Sequence, residues 1–408
     1  MARIAIVTSG HLSTSPRVVR EADALAAAGH EVAVSGVWLD AQQAEWDLAL
    51  LAGRGWSFAP AADLRGTTVH SRAIRLGSRV RSRAARARMA LGLGADRHAL
   101  GYAVDRLEAS VRRTRATLTI LHLEPALAIG ERLLRDGARV AVDIEDWYSS
   151  LRPASTAAPS IRRELERLEH VVFPAARAAT TTSHAMAVAL AARYGMAEAA
   201  VVYNGVPSTE APRTTAPETG PLTLLWFSQT VGAGRGLELL GSALHDVTGD
   251  WRLTVIGAAD EASRNWVRTL MPAGAGERVT FEPRVAPRAL AARVSAHHVG
   301  LALETGATPN LDLTVSNKIC HYLQCGLAVA ATDTTGQREV MRLVPDAGAI
   351  VPVANARALA DVLSRWTASP RAALAACDAR RTAAAATLSA DAQATRIVAR
   401  MARALEGA

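Results

Sequence analysis

The stretch ETGATPNLDLTVSNKICHYLQCGLAVAATDTTGQRE, from Glu304 to Glu339, decides the fold. An apolar run, VGLALE (Val299 to Glu304), leads into a loop of Thr, Gly, Pro and Asn. Ser316 then stands where it can cap a short helix, NKICHYLQC, which Gly326 ends before a second apolar run, LAVAAT. The pattern predicts strand, loop, helix, strand. In such a unit the residues just after the first strand, and the free N–H groups at the helix start, face the crevice at the carboxyl ends of a parallel sheet, where anions bind.

The same alternation extends outward in both directions. Upstream, LTLLWF reads as a strand, SQTVGAGRG as a loop, LELLGSALHDV as a helix and WRLTVIG as a strand, followed by VTFEPRV and a helix from Pro287 to Ala296. Downstream come GAIVPV, a helix from Asn355 to Trp366, and a helical tail from a cap at Ser389 to Leu405. Ahead of this block, PSTEAPRTTAPETGP (Pro207 to Pro221) lacks periodicity and reads as a linker or hinge.

An earlier α/β block opens the chain. Arg3 to Thr8 reads as a buried strand, Ser15 and Pro16 as a helix cap and first helical position, and EVAVS from Glu31 as the next strand. The turn TSGHLSTS is polar and flexible around Gly10 and has no GxGxxG, which argues against a nicotinamide or flavin dinucleotide. LTILHLEP ends with His122 and Glu124, and RVAVDIEDW ends with Asp143, Glu145 and Asp146, so two acidic strand ends share one rim. Each can cap a helix, orient an acceptor hydroxyl or act as a base. The expected division is residues 1–206, a linker at 207–221, a second domain at 222–387, and a C-terminal helix at 388–408 that packs back on the first. The fold class is α/β, with two Rossmann-like doubly wound domains facing a cleft.

Composition narrows the function. With 408 residues each domain can bury a full core. Three cysteines, Cys320, Cys325 and Cys377, show no ligand or disulfide spacing, so neither a metal site nor a disulfide framework is expected. MARIAIVTSG carries too short an apolar run for a signal peptide, and no stretch spans a bilayer, so a cytoplasmic protein is expected. The formal charge of +8 comes with few aromatics, which favours small anions over nucleic acid. A basic tract runs from Arg72 to Arg88, with Arg75, Arg79, Arg83 and Arg86 on one side of a helix. It suits peripheral contact with an anionic membrane, or else a solvated face.

SPRVVREADALAAAGHEV, NGVP, FSQTVGAGRGLELL, LTVIG, FEPRV and VSNKICHYLQCGLAVAATD fall in the order and spacing of GT-B glycosyltransferases. They most resemble family 4 of the retaining, nucleotide-sugar-dependent enzymes (glycosyl transferases group 1). The resemblance covers the chain apart from about residues 40–100. It implies a nucleotide-sugar co-substrate (UDP-sugar first, then GDP- or dTDP-sugar), no further cofactor and no metal. The acceptor would be a small molecule, a lipid-linked group or a glycan. It also implies roles, position by position. Gln229 stands at the first of two basic donor-loop positions and Arg235 at the second, where a guanidinium meets the diphosphate. The family's Glu-x7-Glu is broken here: His321 stands at the second Glu, Leu313 at the first, and Glu304 is the nearby carboxylate left to serve the sugar. Ser228, Gly234 and Gly257 line the donor loop; Ser316, Asn317 and Lys318 bring the helix start to the pyrophosphate; Gly10 admits the donor from the first domain. His122, Glu124 and Glu145 fall on the acceptor side. Transfer would retain configuration, with charge held by Arg235, Lys318 and the helix N-terminus, and with domain closure about the linker. A non-catalytic sugar- or nucleotide-binding protein, a GT-B epimerase and a pseudo-glycosyltransferase share this outline.

Overall fold

The structure is a computed structural model and describes residues 1–153 and 158–406. The last two residues of the expected tail, 407 and 408, lie outside these. Two compact units divide the chain: Met1–Val202 with Ala394–Ala408, and Tyr203–Gln393.

The first unit is built on a seven-stranded parallel sheet of β1 (Arg3–Val7), β2 (Glu31–Trp38), β3 (Ser57–Asp63), β4 (Leu118–His122), β5 (Val140–Ile144), β6 (Ala178–Thr181) and β7 (Ala200–Val201), in the order β3-β2-β1-β4-β5-β6-β7. Strands β4 and β5 are buried at every residue, because helices cover a parallel sheet on both faces. The order reverses between β1 and β4, so the loops after these strands flank the switch point where α/β sheets bind ligands.

The second unit repeats the plan with β8 (Leu222–Thr230), β9 (Trp251–Ala258), β10 (Val279–Glu282), β11 (Val299–Ala302), β12 (Ala328–Thr332) and β13 (Gly348–Val351), ordered β10-β9-β8-β11-β12-β13 and all parallel. Its switch point lies between β8 and β11. Trp226, Trp251, Leu224, Leu253 and Leu301 fill its core. The helix Asn317–Gln324 is held tightly on this sheet. A Cβ added at Gly300 would stand 2.1 Å from the Tyr322 ring, and the Tyr322 hydroxyl donates to the Leu225 carbonyl at 3.2 Å.

Several local expectations change. Ser15 and Ser316 sit at the N-cap positions of their helices, but neither side chain makes the capping hydrogen bond. The loop after β11 carries an unexpected helical turn, Pro309–Leu313, capped by Thr308. The region 40–100 is regular: helix Ala41–Leu51, strand β3 and helix Val69–Ala90. The Pro- and Thr-rich segment is laid on the second unit. The Thr214 N–H donates to the Cys325 carbonyl, the Thr214 hydroxyl reaches the Ser295 and His297 carbonyls, and the Pro217 carbonyl lies 2.6 Å from His298 Nε2.

Candidate active site

At the switch point of the second unit, β8 runs on through Ser228 and Gln229 before the glycine loop begins. Gly236 has φ +87°, and a Cβ there would fall 2.1 Å from the Leu303 carbonyl oxygen, so only glycine lets this loop lie against the end of β11. That contact sets the Arg235 loop beside Glu304. Arg235 is exposed; its Nη1 donates to the Ser228 hydroxyl at 2.8 Å, and its carbonyl accepts from the Trp226 indole at 3.1 Å. Gly234 is exposed, with its N–H donating to Glu238 at 2.6 Å, while Gly257 is buried against the Ser228 carbonyl. Gln229 is exposed at the strand end.

Across the loop, Lys318 Nζ donates to Glu304 Oε1 at 2.6 Å, with both side chains largely enclosed. The Glu304 carbonyl accepts from the Thr332 hydroxyl at 2.6 Å, and the Gln337 amide donates back to Thr332. Around this pair the hydroxyls of Ser316 and Thr334 and the Gln337 side-chain oxygen are buried without a partner. A buried polar atom left unbonded costs stability. Asn317 accepts from the Asn204 side chain, which fixes the NGVP segment at the helix start. His321 is 7% exposed; its Nδ1 lies 2.9 Å from the Asn317 carbonyl and its ring meets Phe227 edge-on. A carbonyl only accepts, so the proton is on Nδ1.

One strong sequence signal went unread. Lys318 is the sole lysine of the chain.

In the first unit Gly10 lies at the end of β1, and its carbonyl accepts from the Val37 N–H. The loop it begins is pinned: His11 Nε2 accepts from the Leu39 and Asp40 amides, which leaves Nδ1–H for Asp47 at 2.8 Å. His122 is spent inside this unit, with Nε2 2.7 Å from Glu21 and Nδ1 3.2 Å from Asp143. Asp143 in turn takes Arg17 Nε at 2.6 Å and the Thr180 hydroxyl at 2.6 Å. Burial opposes charge on His122, but Glu21 and Asp143 outweigh it and push the imidazolium up to about 10. Burial likewise acts against the Asp143 carboxylate, and Arg17 overcomes it, holding Asp143 well below the usual range. Arg17 and Glu21, one helical turn apart on the buried side of the helix Pro16–Ala27, carry this network. Their place beside Val18 and Ala22 was the available signal.

Glu124 and Glu145 face a different balance. Burial raises Glu124, reinforced by Asp146 and opposed by Arg152 and Arg86. Glu145, part of which reaches the surface, is pushed up to about 7 by burial; Arg17 opposes the rise and Asp146 adds to it. A carboxyl so placed can hold or give up a proton near neutrality. Leu123, between His122 and Glu124, has φ +68°, a left-handed backbone unusual for leucine, and its N–H donates to the Tyr148 hydroxyl. Among the described residues no group of three or more His, Cys, Asp and Glu is gathered as a metal site.

Two parallel α/β units in one chain, each with its loops converging at a sheet switch point, define the GT-B fold. Solved structures share it at low identity. A sucrose-phosphate synthase from Thermosynechococcus elongatus is 16% identical, with 99% of each chain covered and a TM-score of 0.72. Anabaena HepE, solved in complex with UDP and glucose, is 14% identical over 98% of this chain and 100% of its own, with a TM-score of 0.69. A glycosyltransferase from Rickettsia africae is 12% identical over 100% and 99%, with a TM-score of 0.67. Within the second unit, residues 221–369 match the family model described as Glycosyl transferases group 1. No curated protein matches the chain in sequence.

Proposed function

We propose that this protein is a glycosyltransferase that moves a sugar from a nucleoside-diphosphate sugar to an acceptor with retention of anomeric configuration and without a metal. The observation that carries the reading is the group 1 match over residues 221–369, because it spans the loop after β8 that bears Arg235 and the loop after β11 where Lys318 pairs with Glu304. Arg235 spends one N–H on Ser228 and keeps the rest of its fork for phosphate oxygens, where it offsets leaving-group charge. The amides of the helix start at Asn317 and the Lys318 ammonium act on the same diphosphate. Glu304 orients sugar hydroxyls, and His321 Nε2 accepts from ribose. Departure of the diphosphate leaves an oxocarbenium-like carbon open on that face. The acceptor oxygen attacks it while a diphosphate oxygen takes the proton, so no protein nucleophile is required. Glu124 and Glu145 serve the acceptor. The UDP and glucose held by HepE favour a UDP-sugar as the donor.

The test is a thermal-shift screen of UDP-, GDP-, dTDP- and ADP-sugars. A ligand that binds only the folded state stabilises it by about 2.7 kcal/mol at one hundred times Kd. One nucleotide class should raise Tm, and Arg235→Ala should abolish the rise while leaving Tm of the free protein unchanged. No shift with any class would end the reading. A second reading, a protein that binds but does not transfer, is favoured by the engagement of Glu304 with Lys318. Release of nucleoside diphosphate in the presence of acceptor extracts separates the two.

A further inference from the structure

We propose that the helix Val69–Ala90 is a membrane-surface anchor that lays its outer face on a bilayer of anionic phospholipid. At 3.6 residues per turn Val69, Ala73, Leu76, Val80, Ala84 and Leu91 fall within an arc of roughly 80°. All are exposed, with Val69 at 82%, Leu76 at 65%, Val80 at 58% and Leu91 at 75%. The opposite face, packed toward the unit, carries Ser71, Ser82, Ala85 and Met89, with Met89 and Ala85 against Ala99 and Ile161. A surface helix normally turns its apolar stripe inward; this one turns it out.

Charge identifies what covers the stripe. Between Val69 and Leu91 there are seven arginines and no acidic residue. Arg72, Arg79 and Arg83 line one flank of the stripe and Arg81 and Arg88 the other. Arg81 pairs with Asp105, and Arg86 donates to the Ala99 carbonyl. Arg79 and Arg83 make no ion pair among the described residues. An apolar stripe bordered on both sides by arginine matches the acyl–headgroup boundary, where the stems bury with the stripe and the guanidinium groups meet phosphate. A nucleic acid would use the arginines but would leave the stripe uncovered. The helix itself is firmly set, with Thr68 and Ser71 forming a reciprocal cap. Among the described residues no helix is long and apolar enough to cross a membrane, so contact would be along the surface.

The test is co-sedimentation of the full chain with vesicles of phosphatidylcholine alone, and with about 30% phosphatidylglycerol added to supply the anionic surface. Binding is expected on the anionic vesicles only. Arg79→Gln with Arg83→Gln should weaken it about thirtyfold, from about 1 kcal/mol per arginine. Leu76→Ser with Val80→Ser should weaken it at least about tenfold. All four side chains are exposed, so Tm should be unchanged in both variants. Equal binding to both vesicle types, no binding to either, undiminished binding by the Leu76/Val80 variant, or full displacement by duplex DNA of matched charge would overturn the proposal. The outcome is independent of sugar transfer, which the nucleotide screen reads separately.

Discussion

Lys318 carries a charge that any of the chain's many arginines could carry, yet it is the one lysine. Its ammonium lies 2.6 Å from Glu304 in a largely enclosed site. A compact ammonium fits there and keeps two N–H donors for a ligand, whereas the broader guanidinium would displace the carboxylate or turn away. Lys318→Arg is therefore expected to lower kcat/KM for the nucleotide sugar by about tenfold or more, with the free protein's Tm nearly unchanged; wild-type kinetics would refute this. His122 gives a second expectation at the same scale. Its folded pKa, about 10, lies above its ordinary 6.5, so its contribution to stability is full below about pH 6.5 and is lost as pH rises toward 10. Glu145, raised from 4.5 to about 7, acts in the same sense at lower pH. Stability measured by urea unfolding should thus fall from pH 7 to 10, and His122→Gln should flatten that slope even though it lowers overall stability.

Between residue and sheet, the loop from Val231 to Gly236 shows how one backbone contact sets a site. Gly236→Ala would strain a left-handed residue and drive a Cβ into the Leu303 carbonyl. The expected result is a loss of about 1–3 kcal/mol in stability and a large rise in KM for the nucleotide sugar. Gly234→Ala is the comparison: its φ is +75°, but nothing lies within 4 Å, so only the conformational cost should appear, with KM moving less. The strand–helix alternation was legible because parallel strands buried on both faces read as short apolar runs, as in VGLA and AVAAT. Strand β3 was not, since SFAPAAD lies at the sheet edge, where Pro60 is tolerated and burial is patchy. Ser316 and Ser15 stand at the N-cap positions that residue type and the following helix indicate, but type and position do not fix the rotamer, and neither side chain caps. Arg235 and Glu304, 69 positions apart in sequence, are assigned to one site by resemblance; in the structure the glycine at 236 lets the loop that bears Arg235 lie against Leu303. The resemblance puts His122, at a strand tip, on the acceptor side, and only the buried Glu21 of a different element and Asp143 show where its ring is engaged.

At the scale of the whole chain, the final helix Ala390–Glu406 returns the polypeptide to the unit in which it began. Ile397, Met401 and Ala404 are buried among Ile4, Ile6 and Leu118 in the core of that unit. Arg139 donates to the Leu405 carbonyl and Arg400 to the Glu198 carbonyl. The first unit therefore completes its core only after the second has been synthesised. Ile397→Ala or Met401→Ala should each cost about 2–5 kcal/mol, and deletion of residues 394–408 more, since it also strips the sheet's cover. The loss should be local. Hydrogen exchange of the truncated chain should show β1 and β4 deprotected while β8, β9 and β11 keep their protection, because the second unit's core, built on Trp226 and Trp251, contains no residue from the deleted segment. Nucleotide-sugar binding measured on the same sample should persist if Arg235, Glu304 and Lys318 carry it, since all three belong to the unit left intact. Loss of protection in β8 along with β1 would instead show that the two units unfold as one.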